Sequence, residues 1–338
     1  MNKTRETLFH RLAWAALALT LVVVVLGAYV RLSDAGLGCP DWPGCYGQLN
    51  VPDEAHQIAA ANAAYPHRPV EPAKAWKEMV HRYFAGTLGL TILTLTVLAW
   101  RRRKAPDQPL VLPLFLLALV VFQALLGMWT VTWQLKPVVV MGHLLGGLTT
   151  LGLLAWLVLR QGRYWENSIT ADERALHGYA LLGLVLLVAQ IALGGWTSAN
   201  YAALECPDFP TCQGHWWPPT DFREAFTLWR GLGVSYEGGV LANDARMTIH
   251  LIHRLGALAV FLYLGWLAWR LMATGRSHSV RFAGLAIAGL LAGQLALGIA
   301  NVVLHLPLPV AVAHNAGAAL LLLALVGLNH LLRPEATA

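Results

Sequence analysis

Polarity along the chain alternates between long apolar blocks and polar stretches. Eight blocks stand out, at residues 12–30, 80–100, 110–131, 138–159, 176–197, 247–271, 282–304 and 309–332. Each reaches about 20 residues, the length a helix needs to cross the hydrocarbon core of a bilayer. Inside lipid only helices and closed barrels satisfy their backbone polar groups, and barrel strands alternate in polarity instead of staying apolar. The pattern therefore predicts an all-α integral membrane protein with eight transmembrane helices. The first block follows Lys3, Arg5 and Arg11, as a signal peptide would. Its apolar stretch is longer than a typical signal core and no small-residue cleavage site follows, so it reads as a retained first helix.

Composition sharpens this picture. Of 338 residues, 57% are hydrophobic and only 12% are charged, against about 25% charged in soluble domains. That excludes an ordinary soluble enzyme, a disordered chain and a small disulfide scaffold. The formal net charge of +6 needs sorting by side. Basic residues collect in the N-terminal tail, in the Arg101-Arg102-Arg103-Lys104 run, and at Arg160, Arg163, Arg174, Arg270, Arg276, Arg281 and Arg333. Short basic loops stay cytoplasmic, so both termini are expected inside. The longer loops 31–77 and 198–246, with Asp34, Asp41, Asp53, Glu54, Asp208 and Glu237, are expected outside. The basic runs then mark topology, and nucleic acid drops out as a partner. Within the second loop, Phe222, Phe226 and Trp229 recur at helical spacing, which predicts a short amphipathic helix over 221–229 at the outer interface. A loop helix with its own small core is the alternative.

The chain also repeats itself. Cys39-Pro-Asp-Trp-Pro-Gly-Cys45-Tyr-Gly47 matches Cys206-Pro-Asp-Phe-Pro-Thr-Cys212-Gln-Gly214 at an offset of 167. His81-Arg82 matches His253-Arg254 at 172, and Gln123, Gly127 and His143 match Gln294, Gly298 and His314 at 171. Four spans per half is an even number, so the halves share one orientation, as parallel repeats do. Two pseudo-symmetric four-helix bundles follow, at 1–160 and 176–338, joined by a cytoplasmic linker at 161–175.

Ionisable groups within spans are costly and point to function. His81 and His143 lie near the outer ends of their spans, and His253 and His314 reproduce them. Two imidazoles facing each other across a bundle can supply the axial ligands of a six-coordinate haem. Zinc is less apt, because two histidines per half leave two ligands to be found. The bland alternative is histidines that only hydrogen-bond within the bundle. No Cys-x-x-Cys-His occurs, so covalent haem attachment is set aside. Arg82 and Arg254 each follow a candidate ligand and can pair with haem propionates or snorkel to headgroups.

Glu78 stands three residues before His81, where the other half has His250 before His253. A partly desolvated carboxylate beside a bound haem is a candidate acid, base or cation stabiliser. The alternative is a helix-start acid complementing the macrodipole. The asymmetry suggests a reacting tetrapyrrole in the first half and a permanent electron-transfer haem in the second. The cysteines form two close pairs on the outer side. An oxidising compartment favours Cys39–Cys45 and Cys206–Cys212 disulfides, with a redox relay at the first pair as the other use.

Together these residues resemble the haem A synthases. The likeness covers nearly the whole chain: eight spans, Arg31-Leu-Ser-Asp-Ala-Gly-Leu-Gly-Cys-Pro-Asp-Trp-Pro-Gly-Cys45, Glu78-Met-Val-His81-Arg82, and the His143, His253 and His314 landmarks. The resemblance implies oxidation of the C8 methyl of haem O to a formyl group, giving haem A for terminal oxidases. It implies haem O between His81 and His143, a haem b cofactor on His253 and His314, and Glu78 as the essential acid. Haem O, membrane lipid, an electron acceptor, a farnesyl-transferring haem O synthase and a second copy of the chain are the candidate partners. A di-haem carrier reacting with quinol would use the same four histidines without needing Glu78. A haem exporter would release its haem unchanged.

Overall fold

The computed structural model describes residues 8–105, 108–162 and 169–334. Lys3, Arg5 and Arg163 of the basic set, and part of the expected linker, lie outside the described residues. The helices are α1 (Leu8–Leu32), α2 (Ala55–Ala64), α3 (Pro72–Arg101), α4 (Val111–Thr132), α5 (Pro137–Gln161) and α6 (Ala171–Arg174). They continue with α7 (His177–Ala199), α8 (Phe222–Ala225), α9 (Asn243–Thr274), α10 (His278–Val303) and α11 (Leu308–Leu332). Eight of these helices, α7 counted with its lead-in turn α6, are long and apolar enough to cross a membrane. The protein is a multi-pass membrane protein.

Two helices start well before their apolar blocks. α3 begins at Pro72 and α9 at Asn243, because their first turns are polar and pack beneath the outer loops. Pro72 opens α3 with its φ already set for a helix. The early start places Glu78 beyond the first turn, where the macrodipole no longer favours a carboxylate. The dipole reading of Glu78 therefore does not hold.

The expected helix over 221–229 is confined to Phe222–Ala225. Asp221 caps it by accepting from the Glu224 amide at 2.9 Å. The chain then leaves the helix, because the Ala225 carbonyl accepts from the Trp196 indole at 2.8 Å and Gly231 and Gly233 turn at positive φ. Ala225 and Phe226 join Trp196, Ala202, Leu241, Ala245 and Ile249 in a small core of their own. This is the second of the two sequence readings.

α1, α3, α4 and α5 pack in sequence around one ring, with α1 closing on α5; α7, α9, α10 and α11 do the same. The rings meet where α5 packs on α7 and α11, and α1 on α11. A continuous core runs across this seam, from Leu148 and Leu151 of α5 to Leu264 and Leu267 of α9 and Leu325 of α11. At one end, the Glu173 carboxylate accepts from the Arg276 and Ser277 amides, both at 2.8 Å, tying α6 to the α9–α10 connection.

At the other end the loops cross between halves. Arg68 forks onto Glu237 at 3.0 and 2.9 Å and holds its carboxyl below the usual range. Arg31 donates to the Ser198 carbonyl at 2.6 Å and lies over the Tyr201 ring. Lys136 is 1% exposed; its ammonium sits 3.1 Å from the Trp229 ring centre and bonds the Gly231 carbonyl. A buried ammonium held by a ring face and a carbonyl keeps its charge compensated.

Candidate functional site

Both cysteine pairs form disulfides, Cys39–Cys45 and Cys206–Cys212. Each closes a tight loop built the same way. Asp41 accepts from the Tyr46 and Gly47 amides at 2.6 and 2.7 Å; Asp208 accepts from Gln213 and Gly214 at 2.5 and 3.0 Å. Tyr46 and Gln213, then Gly47 and Gly214, take positive φ. The Thr211 hydroxyl and these amides hold the Asp208 carboxyl down at about 2.

Glu78 lies under the first loop, 5% exposed. One carboxylate oxygen accepts from the Cys39 amide at 2.9 Å, and the other from the Arg82 guanidinium at 2.5 Å. Arg82 also donates to the carbonyls of Asp41 at 3.0 Å and Gly44 at 2.5 Å. The ion pair is thus buried but fully hydrogen-bonded, the condition under which such a pair is tolerated. In the second half His250 takes the same place between the Cys206 amide, at 3.4 Å, and Arg254 Nε, at 3.2 Å. Arg254 donates onward to the Thr211 and Cys206 carbonyls at 2.8 and 2.7 Å. A neutral imidazole can accept at only one nitrogen, whereas a carboxylate accepts at both oxygens. The two halves therefore share a loop anchor, and the first alone carries a buried negative charge in it.

The four histidines sit on four helices, and each faces a glycine on the helix beside it. A methyl group on Gly27 would lie 3.1 Å from His81 Cε1, and one on Gly127 3.4 Å from His143. Gly194 stands 3.2 Å from His253 and Gly298 3.2 Å from His314 by the same measure. Each ring is thus packed edge-on against bare backbone. His81 on α3 and His143 on α5 stand on opposite helices of the first ring, and His253 on α9 and His314 on α11 on opposite helices of the second. The Nδ1 atoms of His81, His143 and His314 are buried without a hydrogen-bond partner. Such atoms are costly unless a bound group completes them. Among the described residues no three His, Cys, Asp or Glu side chains gather as a metal-ion site. Half-buried imidazoles on opposite helices of each ring suit the two axial positions of a haem.

A family model described as COX15-CtaA, cytochrome oxidase assembly protein, matches residues 10–326. A haem A synthase of Shewanella oneidensis is 50% identical over 319 residues, 94% of each chain. The chain belongs to the haem A synthase family. A haem A synthase of Nitrosospira multiformis is 30% identical over 94% of this chain and 91% of its own. One of Caulobacter vibrioides is 29% identical over 90% of each.

Within this family framework, the structure adds residues that the motifs do not advertise. Gly38 lies against the first turn of α3: a methyl group there would stand 2.6 Å from the Lys74 carbonyl carbon and 2.8 Å from the Ala75 nitrogen. These are backbone atoms and cannot yield, so Gly38 is what lets the Cys39 amide reach Glu78. At the 167 offset the second half has Glu205, so this approach belongs to the first loop alone. Gly38→Ala is expected to cost about 1–3 kcal/mol in stability and to lower haem A formation although Glu78 is intact. Gly86→Ala on the same helix meets nothing within 4 Å and is expected to be near neutral. Thermal midpoints and extracted haem profiles of the two variants check this. Gly38 sits inside the quoted motif, but only the α3 contact gives it a role.

Proposed function

We propose that the protein oxidises the C8 methyl of haem O to a formyl group, forming haem A for terminal oxidases. Membership of the haem A synthase family makes it an oxidoreductase. The observation that supports the detailed reading is Glu78: a buried carboxylate one turn from His81, in one half only, where its counterpart is a histidine. In this reading His81 and His143 flank haem O, and His253 and His314 ligate a haem b. A haem b bound there supplies one-electron transfer.

The reaction needs two successive oxidations of the methyl group. Each adds one oxygen from water and releases two electrons and two protons; the geminal diol then loses water to give the aldehyde. Glu78 stabilises positive charge developing at the methyl carbon or takes the proton that water releases. Arg82, bonded to the same carboxylate, keeps Glu78 oriented. The disulfide loop covers it and limits access of bulk water. A propionate reaching Arg82 or Arg254 would share the guanidinium with the loop carbonyls. Electrons pass to an acceptor outside the chain.

In this reading the short basic loops and both termini lie in the cytoplasm of a bacterium, with the disulfide loops on the outer side of the inner membrane. There a haem O synthase would deliver the substrate, and a second copy of the chain is the remaining partner in this reading. The test is to express the chain with haem O supplied and to analyse the extracted haems by mass. Hydroxylated haem O or haem A is expected. Unchanged haem O on intact, low-spin protein would sink the reading and favour a carrier.

A further inference from the structure

Three of the four histidines share a second feature that the fourth lacks. On the helix facing each of them, a glutamine stands four residues before the backing glycine: Gln123 before Gly127, Gln190 before Gly194, Gln294 before Gly298. Three residues after each of these histidines stands another glycine: Gly146, Gly256 and Gly317. The glutamine amide lies on that glycine so closely that a methyl group on it would collide with the amide. Gln190 Nε2 donates to the backbone carbonyl of His253 at 2.9 Å and lies 3.0 Å from its Nδ1. Gln294 Nε2 donates to the carbonyl of His314 at 3.0 Å and lies 3.3 Å from the ring Nε2. Gln123 occupies the same seat over Gly146, its amide nitrogen buried without a partner.

At His81 both halves of the device are missing together. Val23 stands four residues before Gly27, and Phe84 stands three after His81. An amide needs a glycine to lie on; without the amide, a large side chain is tolerated. One chain thus gives two bonded copies, one in which the glutamine is seated without the bond, and one in which both positions have changed.

We propose that Gln190 and Gln294 are positioning residues, each fixing one haem-ligating histidine, that Gln123 is seated to serve His143 in the same way, and that His81 is the loosely held ligand of the set. This rests on the haem reading above. Gln190 and Gln294 tie the ligand's own carbonyl to the neighbouring helix and limit the tilt of its ring; Gln123 fills the same seat over Gly146 without that bond. A buried hydrogen bond of this kind is lost outright when one partner is removed. Both ligands of the second pair are fixed, as suits a resident haem. The first pair has one ligand, His143, with a glutamine seated beside it and one, His81, with none, as suits a substrate that must enter and leave at every turnover.

The test uses the full chain purified with its haems and mixed with excess apomyoglobin. Haem loss is followed optically, and the haem that remains is identified by mass. Gln190→Leu and Gln294→Leu are each expected to speed loss of the second-half haem about tenfold, the worth of one such bond, and to shift the highest g value of its ferric signal. Gln190→Leu combined with Gly256→Ala refills the seat without restoring the bond, and is expected to lose haem as fast. Val23→Gln with Phe84→Gly installs the seat at His81 and is expected to slow loss of the first-half haem by a similar factor. Loss rates and g values equal to wild type in the Gln→Leu variants would overturn the proposal, as would their recovery on refilling the seat. Wild-type protein without low-spin haem would overturn the haem reading beneath it.

Discussion

Glu78→Gln is expected to lower haem A formation by about a hundredfold or more, the usual cost of removing a preorganised charge from a reacting centre, while both histidine pairs keep their haems. Glutamine has the same shape, so its oxygen can still accept from the Cys39 amide, now 2.9 Å from the carboxylate. Arg82 remains held by the Asp41 and Gly44 carbonyls, so the loop keeps its anchor. What is lost is the negative charge and the site that takes a proton. Glu78→Asp keeps the charge but pulls it back by one methylene from both Arg82 and the Cys39 amide, and should fall between. Extracted haems and low-spin spectra measured on the same preparations separate chemistry from binding. Full haem A production by Glu78→Gln with both haems present would remove Glu78 from the reaction.

If His253 and His314 hold the proposed haem b, His253→Ala is expected to reduce bound haem more than tenfold, because one of the two imidazoles is gone; in the structure it is the His253 ring that lies against Gly194. Haem A formation should fall with it, since electrons then have no relay. The space opened over Gly194 is the size of an imidazole ring, so added imidazole is expected to restore part of the haem content. His250→Ala, by contrast, touches the loop anchor at Cys206 and Arg254, and should weaken the loop while leaving the haem in place. Haem-to-protein ratios and reduced-minus-oxidised spectra check both. Stoichiometric low-spin haem b in His253→Ala would show that the second pair is not the ligand set.

Much of the site is legible in the sequence because it is written twice. A histidine in one apolar block carries little signal, but His81, His143, His253 and His314 recurring at near-constant offsets mark themselves as candidates. The same offsets carried Gln123 and Gly127 with His143, and Gln294 and Gly298 with His314, two of the three glutamine seats. Gln190 and Gly194 escaped, since their partners at the 167 offset are Val23 and Gly27 and only the glycine repeats. Glycines in apolar runs carry no signal of their own; what Gly27 or Gly256 does depends on which atom from another helix lies above it. The amphipathic pattern over 221–229 was real but cut short, because the Trp196 indole takes the Ala225 carbonyl and the following glycines turn the chain.

The sequence by itself determined the eight helices, since runs of about 20 apolar residues leave the backbone no other way to satisfy its polar groups in lipid. It also determined the repeat, the pairing of histidines and the one-sided carboxylate, all of which are spacings along the chain. Tertiary structure alone decided what those groups touch. It set the Cys39 amide on Glu78 through the close approach at Gly38, gave His250 the same anchor without the charge, and laid three glutamines on three glycines. Such contacts join residues far apart in the chain, and shifts of a few tenths of an ångström decide whether they form. Hydropathy and periodicity report only which face of a helix is buried, and say nothing of what it meets.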